Sequence, residues 1–169
     1  MDDIRPKTLA YQRANFSTRL PVDWRYSASH CWIARRPDGL WRVGFTGFAV
    51  RLLGELVDHA FDVQPGATVA LGQLLGWVEG FKTISDVFCL AKGRLAGGNP
   101  ELLERLILIN KDPYGAGWLY AVDGEPDPNC LDVEAYRALL DRTISRHAAR
   151  QRPGKGCPPS TGSSSPGIG

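Results

Sequence analysis

No run in this 169-residue chain approaches the roughly eighteen apolar residues that a membrane-crossing helix needs, which argues against a membrane span. Nor is there a marked excess of either charge. Lys and Arg number 20 against 18 Asp and Glu, a net charge of +2, so neither nucleic acid nor an anionic membrane is expected as a partner. The opening residues, MDDIRPKTLAYQRANF, are acidic first and contain no apolar segment of signal-peptide type, so a cytoplasmic location is expected. Cysteine is sparse: Cys31, Cys89, Cys130 and Cys157 include no C-x-x-C pair, and His30, His59 and His147 complete no zinc-finger spacing with them. No metal is expected, and in a reducing compartment the thiols should be free. The common catalytic signatures are missing too. There is no G-x-S-x-G elbow, P-loop, H-E-x-x-H or Rossmann or kinase glycine pattern, and the carboxylates are scattered. If such a chain takes part in catalysis, carrying something suits it better than turnover.

What the sequence does contain is a series of short apolar stretches separated by turn signals. Residues 1–20 have few periodic apolar positions and read as an N-terminal extension, loosely packed. HCWIARRPDGLWRVGFT (30–46) reads as a hairpin, with Arg-Pro-Asp-Gly at the turn. GFAVRLLGEL (47–56) has near-helical apolar spacing and should be a short helix broken at Gly54. LVDHAFDV (56–63), TVALGQLLGWVEG (68–80), TISDVFCLAKG (83–93) and WLYAV (118–122) read as strand sequence. NPELLERL (99–106) offers Asn99 as an N-cap with Pro at the first helical position. A closing helix should start at about Asp132, with Val133, Tyr136, Leu140, Ile144 and His147 on one stripe. The Pro-, Gly- and Ser-rich residues 150–169 have no hydrophobic period and are expected to be a disordered tail. The expectation is therefore a mainly β chain with flanking helices (α+β), a small sandwich or barrel, with its main domain over 21–149.

Lys82, in GWVEGFKTISD (76–86), sits almost midway between the turn signals Gly72 and Gly93, where a hairpin tip would be. A covalent carrier needs such a place: a nucleophilic amine on a turn that flanking strands hold rigid and that solvent can reach. Exposed hairpin lysines are common, so position alone leaves the matter open.

The residues around the lysine carry a resemblance. VEGFKTISD is similar to the modification site of glycine-cleavage H proteins, close to V-E-S-V-K-A-x-S-D in that family. DWRYSASHCWI (23–33) resembles the segment carrying its S-H-E-W signature. VGFTGFAVRLLGEL (43–56), NKDPYGAGWL (110–119) and EAYRALL (134–140) follow in the family's order and spacing. The resemblance implies a barrel-sandwich hybrid of the lipoyl/biotinyl-carrier type, with lipoate in amide linkage on Lys82. Biotin carriers typically show M-K-M; Phe81-Lys82-Thr83 favours lipoyl. It further implies a carrier that performs no turnover itself, whose arm passes between partner enzymes. Glu79 and Asp86 would be recognition handles for the lipoate-attaching ligase or transferase, and Ser29, His30 and Cys31 would belong to the cleft that receives the arm.

Several positions depart from the family pattern. Cys31 replaces the S-H-E-W glutamate, a partner for a cationic amine in the cleft, while Ser29 and Asp86 are kept. The attachment site reads Gly80-Phe81-Lys82 rather than S-V-K. A cysteine beside the arm would suit sulfur transfer, because thiolates exchange with disulfides. The leading expectation is thus a lipoate-binding branch of the family that serves bacterial sulfur oxidation beside a heterodisulfide-reductase-like complex. The alternatives are glycine decarboxylation with P, T and L proteins, and a non-lipoylated interaction protein that uses the same hairpin.

Overall fold

A computed structural model describes residues 6–151, with side chains described as far as residue 146. The chain begins with a hairpin, β1 (Thr8–Arg13) and β2 (Phe16–Pro21). There follow β3 (Arg25–Tyr26), β4 (Cys31–Arg35), β5 (Trp41–Phe45), the helix α1 (Gly47–Leu53), β6 (Leu56–Phe61) and β7 (Thr68–Val69). Next come β8 (Leu74–Gly80), β9 (Ile84–Phe88), β10 (Ala91–Gly98), a 3-10 turn at Pro100–Leu103, and α2 (Leu108–Lys111). The last elements are β11 (Tyr120–Pro126) and α3 (Val133–Gln151). The strands form a two-stranded sheet β1-β2, a six-stranded sheet β3-β4-β5-β11-β10-β7 and a three-stranded sheet β6-β8-β9. The two larger sheets share one core, to which Ile33, Val43, Leu95 and Val122 come from one and Leu56, Leu75, Val78 and Val87 from the other. The expected mainly β sandwich with a few helices is what the chain forms.

Local chemistry accounts for the elements that were expected. The Arg36–Gly39 turn joins β4 to β5: Gly39 N–H donates to the Arg36 carbonyl at 2.8 Å, and Asp38 Oδ1 accepts the Leu40 N–H at 2.9 Å. The side chain of Thr46 caps α1 by accepting from the Ala49 N–H, and Gly54 ends it at φ +78°, a conformation that suits glycine. Asp132 Oδ1 accepts the Ala135 N–H at 2.8 Å at the start of α3, whose Val133, Tyr136, Leu140 and Ile144 are buried. The side chain of His147 lies outside the described residues. One helical reading comes out shorter and one strand is displaced. Asn99 does cap, its Oδ1 accepting the Glu101 N–H at 3.0 Å, but the 99–106 segment makes only the 3-10 turn. The strand expected at 118–122 runs instead from Tyr120 to Pro126.

The N-terminal segment corrects the expectation of loose packing. Tyr11, Phe16 and Leu20 are buried with Phe48 of α1 and the α3 stripe, in a second core behind β4. Tyr11 Oη donates to Asp141 Oδ1 at 2.7 Å, and Arg13 reaches Ser145 Oγ at 2.7 Å. These residues show no long period because a two-stranded hairpin offers only a few inward positions on each strand. Strand β4 consequently lies between two cores, with Cys31 and Ile33 facing one and Trp32 and Ala34 the other. That is why CWIA is apolar at four consecutive positions. At the other end, α3 continues to Gln151, past the expected domain edge at 149, and the tail from 152 lies outside the described residues.

Candidate functional site

Strands β8 and β9 pair antiparallel with Glu79 opposite Ile84, and the Gly80 N–H donates to the Thr83 carbonyl at 2.9 Å. Phe81 and Lys82 are therefore the tip of the hairpin, as expected, and both side chains are exposed; that of Phe81 is 75% accessible. The tip is nonetheless held. Phe81 N–H donates to the Glu55 carbonyl at 3.0 Å and Lys82 N–H to the Leu53 carbonyl at 2.9 Å, so both tip amides are satisfied by the junction between α1 and β6. Lys82 Nζ donates to the Arg51 carbonyl at 3.1 Å, in the last turn of α1. The lysine has a fixed base and an exposed side chain whose amine rests on the Arg51 carbonyl.

Sequence reasoning missed what holds this junction in place. Asn110 Nδ2 donates to the Gly54 carbonyl and its Oδ1 accepts the Leu56 N–H, each at 3.0 Å. Tyr114, four residues on, grips the other end of α1, its Oη accepting the Gly47 N–H at 2.8 Å. The loop itself is tied by Asp112, whose Oδ2 accepts the Ala116 N–H and whose carbonyl accepts the Gly117 N–H. Trp32 Nε1 adds a bond to the Pro113 carbonyl at 2.9 Å. The motif NKDPYGAGW thus clamps α1 at both ends. Its residues were visible in the sequence, but the contact of Asn110 with a segment more than fifty positions away was not.

Glu79 and Asp86 lie on one face of the three-stranded sheet. Asp86 stands opposite Trp77 and Glu79 opposite both Ile84 and Asp58, so the outer face next to Lys82 alternates acidic and apolar side chains. Ile84 and Phe88 of this sheet are exposed. Cys31 opens β4 of the six-stranded sheet, and Ser29 and His30 form the turn before it. The Thr46 N–H donates to the His30 carbonyl at 3.0 Å, which puts this group at the N-terminal end of α1, with Lys82 at its C-terminal end. Seven residues of helix separate the two by about 10 Å along the axis. Among the described residues, no hydrogen bond or ion pair joins Lys82 directly to Ser29, His30 or Cys31.

Of that group Ser29 is exposed, His30 is half-buried and Cys31 is buried. His30 has φ +71°, and its Nδ1 lies 2.9 Å from Tyr136 Oη; burial pushes its pKa down to about 4, so the ring is neutral near pH 7. Cys31 is 7% accessible and packs in the main core. Burial pushes its thiol up to about 12, against a smaller opposite effect of Ser27 and Ser29. Cys130 rises to about 11 for the same reason, and the Cys89 thiol, raised as well, donates to the Ala91 carbonyl. None of the three is a thiolate at neutral pH.

A shared family accounts for this arrangement. The model of the glycine cleavage H-protein family matches residues 24–142. A glycine cleavage system H protein of Mycobacterium bovis is 36% identical over 130 residues, covering 72% of this chain and 96% of that protein. One from Pseudoalteromonas atlantica is 36% identical over 127 residues, covering 73% and 98%. The crystal structure of a glycine cleavage system H protein from Mycobacterium marinum superposes with a TM-score of 0.65 at 38% identity, covering 72% of this chain and 99% of that one. With its lysine-tipped hairpin standing inside the matched region, the chain belongs to the glycine cleavage H-protein family.

Proposed function

We propose that this chain is a lipoyl carrier of the glycine-cleavage type, with lipoate in amide linkage on Lys82 and P, T and L proteins as its partners. The observation that carries the reading is the state of Lys82: an exposed amine on a hairpin tip whose two backbone amides are pinned to Leu53 and Glu55. Such a residue fits an acyl arm, because modification leaves the fold untouched while the base of the arm keeps its position. When bound, lipoate supplies a dithiolane that takes up a one-carbon amine unit and electrons. The protein does the placing. Glu79 and Asp86, on the face beside the tip, serve as recognition handles for the ligase or transferase that attaches lipoate. Ser29 and Asp86 remain as polar groups toward the arm, and the protein itself catalyses no turnover. A cytoplasmic setting goes with this reading; among the described residues no helix is long and apolar enough to cross a membrane.

The sulfur-oxidation role loses the feature it leaned on. A transfer cysteine needs an ionised, reachable thiol, and Cys31 is buried with its pKa raised to about 12. Its cost to the glycine reading is one missing carboxylate for a cationic amine. The test is glycine-dependent carbon dioxide exchange by a P protein with the lipoylated chain. Exchange that needs Lys82 supports the assignment. A lipoylated chain that gives no exchange removes the glycine pathway, and a chain that takes up no lipoate makes it an interaction protein instead.

A further inference from the structure

The hairpin β1-β2 precedes residue 24, where the family match begins, yet it is built against the helix that carries the Lys82 contacts. Its turn grips Arg51. The guanidinium donates from Nη1 to the Asn15 carbonyl at 3.1 Å and from Nη2 to Asn15 Oδ1 at 3.2 Å. It also lies 5.7 Å from the centroid of the Phe16 ring, and that ring meets Phe48 of α1 edge to face at 5.4 Å. Ala14, the residue before Asn15, adopts φ +56°, so the turn is bent tightly where it meets α1. Arg51 is at the same time the residue whose carbonyl receives Lys82 Nζ, and Leu53, two residues on, receives the Lys82 N–H. One residue thus has the appended hairpin on its side chain and the lysine on its backbone.

We propose that the N-terminal hairpin is a working part of the Lys82 site: Asn15 and Phe16 hold Arg51, and Arg51 is a positioning residue that fixes the last turn of α1, and with it Lys82, for acylation. The inference rests on Lys82 being the lipoyl attachment point. In that step the neutral amine of Lys82 attacks the carbonyl of a lipoyl adenylate, which the attaching enzyme makes from lipoate and ATP. The bond from the carbonyl carbon to the phosphate oxygen breaks, AMP leaves, and the nitrogen gives up one proton as the amide forms. A tip that is already held presents its amine to the enzyme in one geometry; a loose one must be ordered on binding.

The experiment uses the full-length unmodified chain as substrate for a lipoate ligase with lipoate and ATP, followed by intact mass. Arg51→Met removes the guanidinium and keeps most of the stem. Its KM as a substrate should rise about threefold to fivefold, the scale of an exposed charged contact, with kcat changed much less. Hydrogen exchange at the Lys82 amide should quicken in the same variant, while the melting temperature changes little. Asn15→Ala removes one of the two acceptors and should give a smaller rise, and the double variant should be no worse than Arg51→Met alone, because both act on one contact. Wild-type KM and wild-type Lys82 exchange in Arg51→Met would overturn the inference, and so would full additivity of the two substitutions. If the wild-type chain takes no acyl group, the attachment reading fails first. If it is acylated normally and Arg51→Met behaves identically, only the role of the hairpin fails.

Discussion

The side-chain amide of Asn110 donates to the Gly54 carbonyl at 3.0 Å across a sequence separation of 56 residues. With its oxygen accepting the Leu56 N–H, it brackets Glu55, whose carbonyl in turn receives the N–H of Phe81 at the hairpin tip. Stability and the placement of Lys82 therefore depend on the same side chain. Asn110→Ala leaves a part-buried donor and acceptor without partners and should lower the unfolding free energy by about 1–3 kcal/mol in urea melts. Amide exchange at Phe81 and Lys82 should quicken together. A variant as stable as the wild type, with both amides still protected, would contradict the clamp.

Gly80 explains one departure from the family pattern. It lies so close to α1 that a Cβ there would run into the Leu53 carbonyl oxygen, the acceptor of the Lys82 amide. Restoring the family's serine in Gly80→Ser should push the hairpin away from the helix, at about 1–3 kcal/mol of stability. Thermal melts check the cost, and the chemical shift of the Lys82 amide reports the displacement.

The His30 ring gives a pH dependence. Its pKa is about 4 in the folded chain, held down by burial, against about 6.5 when unfolded. Between these values the unfolded chain binds the extra proton, so this contribution to stability is intact above about pH 6.5 and is lost as pH falls toward 4. The loss should be about 3 kcal/mol, at about 1.4 kcal/mol for each pKa unit between the two values. His30→Gln should flatten the stability profile over that window, measured by urea unfolding at a series of pH values.

Cys31 sits in the core with its thiol raised to about 12, and Cys89 and Cys130 are buried as well. In a Cys157→Ser background, a thiol reagent at pH 8 should label the native chain only slowly, at a rate that follows unfolding. Rapid labelling of Cys31 would return the sulfur-transfer reading to consideration.

Much of this site was legible because its signals are local. Gly72 and Gly93 bracket the hairpin, Pro37-Asp38-Gly39 turns β4 into β5, and the α3 stripe repeats at helical spacing. The N-terminal hairpin was not legible. Its Ala14-Asn15 turn has no glycine, and Tyr11, Phe16 and Leu20 are buried by helices from distant parts of the sequence. The burial of Cys31 stayed hidden for a similar reason. A strand covered on one face alternates, whereas β4 is covered on both, so CWIA does not show that Cys31 faces the main core. The resemblance put Cys31 in the cleft of the arm, and that invited the sulfur chemistry.

The central claim is that Lys82 carries lipoate, and intact mass tests it most directly. The full-length chain, incubated with a lipoate ligase, lipoate and ATP, should gain one lipoyl group, and Lys82→Ala should gain none. A wild-type chain that stays unmodified, or a Lys82→Ala variant that still takes up the group, would contradict the account.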